Sequence, residues 1–214
     1  MKFDKPVLLV GNGAIDDGAI ALGVSIGGPI LAADGGAEAA LRFGLKLEAT
    51  IGDMDSISNE NQSFDYGKFI QVSTQDSTDF EKCLSVIDAP LILGVGFLGG
   101  RLDHELAALN ALVRAKQTIV LIGEVDIVFR LPERLEINLP LGARISFFPM
   151  GKVDKVVSTG LKWEISDLAL SPDAGISTSN QIGAPALTIC NPSQPLLCIL
   201  PREHLAATLK SFNF

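Results

Sequence analysis

The first half of the chain alternates short apolar runs with stretches of helical spacing. The runs fall at residues 7–10, 29–33, 49–51, 69–72, 90–95 and 118–122, each of a length that suits a buried strand. Between them apolar positions recur every three or four residues. The clearest case is "STDFEKCLSVI", where Phe80, Cys83, Leu84 and Ile87 share one stripe, the signature of an amphipathic helix. Thr78 followed by Glu81 has the form of a capping box, which places Asp79 in the first turn of that helix. A second helix is predicted over 103–115, with Leu102, Leu106, Leu109 and Val113 facing the core. Strands alternating with helices in this way predict a parallel sheet with crossover helices.

The texture changes after about Glu124. Short β-like runs at 126–131, 135–139, 144–148, 153–158, 186–190 and 196–200 follow one another across Pro, Gly and Asn turns. No helical stripe returns until the tail after Arg202. The fold class predicted is therefore α/β: an N-terminal Rossmann-like parallel sheet over residues 1–125, followed by a small all-β sandwich over residues 126–214.

Composition narrows the function. The 214 residues are 47% hydrophobic and 20% charged, an ordinary globular balance with room for a sizeable core. A formal charge of −8 argues against a nucleic-acid binder, whose affinity rests on Lys and Arg neutralising phosphates. No apolar run approaches membrane-spanning length, and "MKFDKPVLLVGNG" reads as a first strand rather than a secretory signal. Cys83, Cys190 and Cys198 form no CxxC pair, so neither a disulfide framework nor a zinc site is expected. Sparse cysteines of this kind fit a reducing cytoplasm.

In a doubly wound sheet, ligands bind beyond the carboxyl ends of the strands, and the unusual polar clusters fall there. Asp34, Gly35 and Gly36 follow the second apolar run, Asp53 and Asp55 the third, and Gln75, Asp76 and Asp79 the fourth. Gly99, Gly100, Arg101, Asp103 and His104 follow the fifth. Each cluster alone has a plainer reading. Asp34 could cap a helix, Asp53 and Asp55 could form a solvated turn, and Asp79 suits a helix N-terminus in any case. His104 alone could simply pack or cap.

Together the clusters demand a cation. Two carboxylates about 4 Å apart repel by roughly 1 kcal/mol in water, and by about 4 at the effective dielectric of a protein surface. Mg²⁺ fits best, since it takes one or two carboxylates together with substrate phosphates. It also explains how an acidic protein could hold a phosphate compound. The Gly-Gly-Arg at 99–101 would then supply backbone N–H groups and a forked donor to phosphate oxygens.

Gly94-Val-Gly-Phe-Leu-Gly99 also matches the GxGxxG dinucleotide fingerprint. That fingerprint normally follows the first strand, and hydride transfer would leave the carboxylates at 53, 55 and 79 without a role.

With these pieces assembled, the chain resembles the thiamine pyrophosphokinase family. Its motifs stand in order as "ADGGA" at 33–37, "GDMDS" at 52–56, "QDSTDFEK" at 75–82, "GGRLDH" at 99–104 and "STSN" at 177–180, with "GLKW" at 160–163. The resemblance implies transfer of pyrophosphate from ATP to the hydroxyl of thiamine, giving thiamine diphosphate and AMP, in a homodimer. Residues 1–125 would be the catalytic, ATP- and Mg²⁺-binding unit, and residues 126–214 the thiamine-binding and dimerisation unit. By position Asp53, Asp55 and Asp79 would hold Mg²⁺. Asp34, Gly35, Gly36, Gly99, Gly100, Arg101, Asp103 and His104 would border the nucleotide. Gln75 and Asp79 would help hold thiamine, with Ser179 and Asn180 reaching it from the second subunit. Any proton acceptor would be Asp79 or Asp76 ahead of His104. Trp163 reads as sandwich core, with stacking on the thiamine rings as its alternative. Two other functions remain: pyrophosphate transfer to another alcohol such as a hydroxymethylpterin, and a sensor of thiamine or nucleotide without turnover.

Overall fold

The computed structural model describes residues 1–53, 65–74, 76–166, 168–191 and 194–214. Asp55 and Gln75, both assigned to the site from sequence, lie outside these residues. Two compact units divide the chain, Met1–Glu124 and Val125–Phe214.

The first unit runs β1 (Val7–Val10), α1 (Asp17–Ser25), β2 (Ile30–Ala33), α2 (Gly36–Arg42), β3 (Ala49–Gly52), β4 (Lys68–Gln71), α3 (Asp79–Val86), β5 (Ile92–Val95), α4 (Leu102–Arg114) and β6 (Ile119–Ile122). Its strands pair in parallel in the order β6-β5-β1-β2-β3-β4. The fully buried runs of β1, β3, β5 and β6 are what a parallel sheet covered by crossover helices requires. Strand β4, at the edge, leaves Phe69 44% exposed. The chain builds outward from β1 through β2, β3 and β4, then returns to lay β5 on the other side of β1. The carboxyl ends of β1 and β5 therefore flank the switch point, where such sheets take ligands.

Helix α3 begins with the predicted capping box. The Glu81 N–H donates to Thr78 Oγ1, and the Thr78 N–H donates to Glu81 Oε2 at 2.9 Å. Phe80, Cys83 and Ile87 are buried, as the stripe predicts. Helix α4 departs from its predicted face. Leu102 is 69% and Leu106 52% exposed, and the buried side is Ala108, Ala111, Leu112 and Val113. The inward stripe therefore joins two alanines to Leu112 and Val113, and α4 packs against α3.

The second unit contains β7 (Asp126–Arg130), β8 (Arg134–Ile137), β9 (Arg144–Pro149), β10 (Val157–Thr159), β11 (Ser177–Gln181), β12 (Leu187–Cys190), β13 (Leu196–Pro201) and α5 (Leu205–Ser211). Antiparallel pairing joins β11-β9-β13-β7, and a smaller sheet joins β10-β12-β8. Phe129 and Phe147 are fully buried, and Phe212 meets Phe129 edge-on at 5.3 Å. The strand predicted over 153–158 shortens to β10. Lys155 takes a left-handed φ of 63° there, and Val153 forms only an isolated bridge with Leu170. Strand β11 carries no apolar alternation. Its ladder to β9 breaks register between Ser177 and Asn180, where Ser179 has φ 56°, the bulge geometry that re-aims side chains.

Candidate functional site

At the switch point the turns after β1 and β5 lie backbone against backbone. The Gly11 N–H donates to the Val95 carbonyl at 2.8 Å and the Gly13 N–H to the Gly96 carbonyl at 2.8 Å. A Cβ on Gly11 would sit 2.6 Å from the Gly96 carbonyl oxygen, so no larger residue fits this approach. The two turns wall a cavity of about 800 Å³. Asp34 and Gly35 reach it from the end of β2, and Ser77, Thr78 and Asp79 from the start of α3. Phe80 and Phe97, with ring centroids 4.5 Å apart, give it an apolar wall.

Asp34 is 4% exposed and holds a left-handed φ of 42°, which short polar residues tolerate. The N-cap position of α2 is Gly35, without a side-chain hydrogen bond, and the Asp34 carbonyl accepts from the Ala37 N–H at 3.0 Å.

The sharpest feature stands at the rim. The Lys82 ammonium donates to Asp53 Oδ2 at 2.6 Å and to Asp79 Oδ1 at 3.1 Å. Lys82 is 4% exposed, whereas the Asp53 side chain is 34% and the Asp79 side chain 48% accessible. The hydrogen bond to Asp53 raises the Lys82 pKa above the ordinary lysine range; burial opposes this, and Asp79 adds to the rise. Carboxylates from the end of β3 and the start of α3 thus converge on one positive centre. Below them the Cys83 thiol is pushed well up by burial and is inert packing.

Further along the rim, Gly99 and Gly100 have φ of 79° and 83°, values that favour glycine. Both line the cavity, with Arg101 and His104. The Gly99 N–H donates to Glu105 Oε2 at 3.1 Å. Arg101 grips Asp103 through two bonds, Nε to Oδ1 at 3.1 Å and Nη2 to Oδ2 at 2.7 Å. That hydrogen bonding raises the Arg101 pKa and lowers that of Asp103. Both side chains stand in solvent, so the fork can turn at small cost. Asp76 is exposed in the turn before α3.

In the second unit Asn180 is 3% exposed. Its Oδ1 accepts from the Trp163 N–H at 3.3 Å and the Gln181 N–H at 2.8 Å. Its Nδ2 donates to the Trp163 carbonyl at 2.7 Å and to Ser177 Oγ at 3.2 Å. The Ser179 N–H donates to Ser146 Oγ at 3.0 Å. Trp163 is 53% exposed and so is not sandwich core. Its turn bends the indole outward, and Asn180 holds the turn from within.

The first unit therefore gathers Asp34, Gly35, Asp79, Gly99, Gly100, Arg101 and His104 at one cavity, with Asp53 joined to Asp79 through Lys82. Gly36 opens α2 next to Gly35. Sequence reasoning missed Lys82 and the Gly11-Asn12-Gly13 turn. The turn carried a usable signal, since it follows the first strand as the acidic clusters follow the others. Among the described residues no three acidic, His or Cys side chains group closely enough to hold a metal ion. Two carboxylate oxygens already meet one ammonium, however, so the donor set of Asp53 and Asp79 suits a hard cation.

Comparison with known proteins gives matches along most of the chain. Residues 29–122 match the family described as thiamin pyrophosphokinase, catalytic domain, and residues 129–193 match thiamin pyrophosphokinase, vitamin B1 binding domain. Thiamine pyrophosphokinase 1 of Arabidopsis thaliana is 32% identical over 184 residues, covering 75% of this chain and 67% of that protein. Thiamine pyrophosphokinase 2 of the same plant is 35% identical over 179 residues, covering 74% and 67%. The structure of thiamin pyrophosphokinase from Candida albicans superposes with a TM-score of 0.77 at 20% identity, covering 92% of this chain and 89% of that one. At that identity the superposition speaks for the fold alone.

Proposed function

The chain belongs to the thiamine pyrophosphokinase family, and from that premise we propose that it transfers pyrophosphate from ATP to the hydroxyl of thiamine. The observation that carries the reading is the meeting of Asp53 and Asp79 on one cationic centre beside the switch-point cavity. Phosphoryl-type transfer needs in-line positioning and charge neutralisation more than covalent help. A cavity walled by backbone turns, with carboxylates at its rim, suits that need.

In this reading the thiamine oxygen attacks the β-phosphorus, the bond from the β-phosphorus to the bridging oxygen breaks, and AMP leaves with that oxygen. Asp53 and Asp79, with Asp55, hold Mg²⁺, which when bound would neutralise phosphate charge. Asp34, Gly35, Gly36, Gly99 and Gly100 border the nucleotide. Arg101 turns its fork from Asp103 to a phosphate, and His104 lies beside it. Asp79 or Asp76 takes the hydroxyl proton. Gln75, Ser179, Asn180 and Trp163 belong to the thiamine side, the last three supplied by the second subunit of a homodimer. Residues 1–125 act as the ATP- and Mg²⁺-binding unit and residues 126–214 as the thiamine-binding and dimerisation unit. Among the described residues no helix is long and apolar enough to cross a membrane; a cytoplasmic enzyme remains the expectation from sequence.

The test is purified protein with MgATP and thiamine, followed by chromatography. Thiamine diphosphate and AMP should appear in equal amounts and vanish with EDTA. AMP without thiamine diphosphate would point to another acceptor alcohol or to hydrolysis. Thiamine bound with neither product formed would make the protein a sensor.

A further inference from the structure

Trp163 is the only tryptophan of the chain, and it sits on a turn fixed from two directions. Asn180 holds its N–H and carbonyl from the buried side. From the other side the Glu164 carboxylate folds back over the same turn. Its Oε1 accepts from the Gly160 N–H at 2.8 Å and the Leu161 N–H at 3.1 Å, and its Oε2 accepts from Ser158 Oγ at 2.5 Å. Ser158 Oγ in turn accepts from the Ile165 N–H at 2.9 Å. Lys162 places its ammonium 4.5 Å from the indole centroid while donating to Gln181 Oε1 at 2.9 Å.

Such ordering is unusual for a residue that contributes little to the core. A buried tryptophan is held by its packing. Here the ring stands half in water, and hydrogen bonds to its own backbone and neighbours hold it in place. The Lys162 contact shows that the ring face accepts a cation. An aromatic fixed in advance binds a ligand without first losing its own freedom, which is where preorganisation gains affinity.

We propose that Glu164 is a positioning residue for substrate binding: it locks the 160–164 turn so that Trp163 presents its indole to the cationic, aromatic rings of thiamine. This rests on the function proposed above and extends it to a residue that touches no substrate. Glu164 acts through the turn that carries Trp163, so its effect falls on thiamine and not on ATP.

The single tryptophan supplies a direct readout. Thiamine titrated into the intact protein should quench or shift Trp163 fluorescence saturably. Glu164→Ala should raise both the thiamine Kd from that signal and the thiamine KM on the order of tenfold, the size expected from losing a few hydrogen bonds to a charged group, with the ATP KM unchanged. Glu164→Gln, which can still accept from the turn N–H groups and donate to Ser158, should restore most of the loss. If Glu164→Ala does not fold, Glu164→Asp, too short to reach all three donors, should give an intermediate thiamine KM. A wild-type thiamine KM in Glu164→Ala or Glu164→Asp, with Trp163→Leu still impaired, overturns the role of Glu164 and leaves the thiamine reading intact. Equal rises in both KM values overturn it as well, because general damage would then explain the loss. If thiamine leaves the fluorescence unchanged and Trp163→Leu binds it normally, the thiamine-side placement fails together with the role of Glu164.

Discussion

The Lys82 ammonium lies 2.6 Å from Asp53 Oδ2, joining the middle of α3 to the end of β3. Replacing it with an apolar side chain would leave Asp53 and Asp79 facing each other with no charge between them. Lys82→Met should destabilise the metal-free protein by about 2 kcal/mol, below the range for a fully buried pair because both carboxylates remain partly solvated. Mg²⁺ should recover part of that loss. The raised pKa of Lys82 means that the pair stabilises the fold fully below the ordinary lysine pKa, about 10.4, and loses this contribution as pH rises through the raised value. Urea unfolding from pH 7 to 11 should therefore show an alkaline decline that is shallower in Lys82→Met. Equal stability of the two proteins at pH 7 would dismiss the pair as a structural element.

Asp79→Asn keeps the size of the side chain and the capping of α3 while removing one negative charge from the rim. Its turnover should fall by about 10²-fold or more, the scale of losing one charge-stabilising group in phosphoryl transfer. The Mg²⁺ concentration for half-maximal rate should rise. Circular dichroism should stay that of the wild type. Near-normal turnover at low Mg²⁺ would remove Asp79 from the cation set.

The strand ends were legible because parallel sheets place ligands by a topological rule that short apolar runs reveal. Asp34, Asp79 and Gly99 could be assigned to one edge without coordinates. Lys82 closes the "QDSTDFEK" stretch, but its role was not legible, because a lysine inside an amphipathic helix reads as solvent-facing unless its partners from other elements are known. Leu102 and Leu106 misled for a related reason: periodicity marks stripes, and here the inward stripe ran through Ala108, Ala111, Leu112 and Val113, so of the four positions read as core-facing only Val113 lies on it. Strand β11 was hidden because Ser177–Gln181 is polar and held by its ladder to β9. Trp163 is exposed on a turn whose backbone groups bond to the side chains of Asn180 and Glu164, contacts that no local pattern announces.

Asn180→Ala should act twice. Its amide is buried and bonded at both ends, so truncation leaves the Trp163 backbone groups short of partners and should cost about 2 kcal/mol. Freed from Asn180, the turn should also loosen. Trp163 emission should shift to the red, and the thiamine KM should rise well above any change in the ATP KM. Matched changes in the two KM values would contradict the thiamine-side placement of Asn180.

Thr78 connects helix capping to the site, because α3 carries both Asp79 and Lys82. Thr78→Ala removes the acceptor for the Glu81 N–H and should cost about 1 kcal/mol, whereas Thr78→Ser should retain most of the cap. Glu81 is held below its ordinary pKa, first by the Thr78 N–H and further by Arg114. A carboxylate lowered in this way stabilises the fold above the ordinary glutamate pKa, about 4.3, and loses the contribution as pH falls through the lowered value. The gap in thermal stability between wild type and Glu81→Gln should therefore be full at pH 7 and close progressively below about pH 4. Turnover should fall several-fold in Thr78→Ala, since fraying the first turn displaces Asp79. A gap unchanged across that acid range would show that Glu81 does not act through its charge.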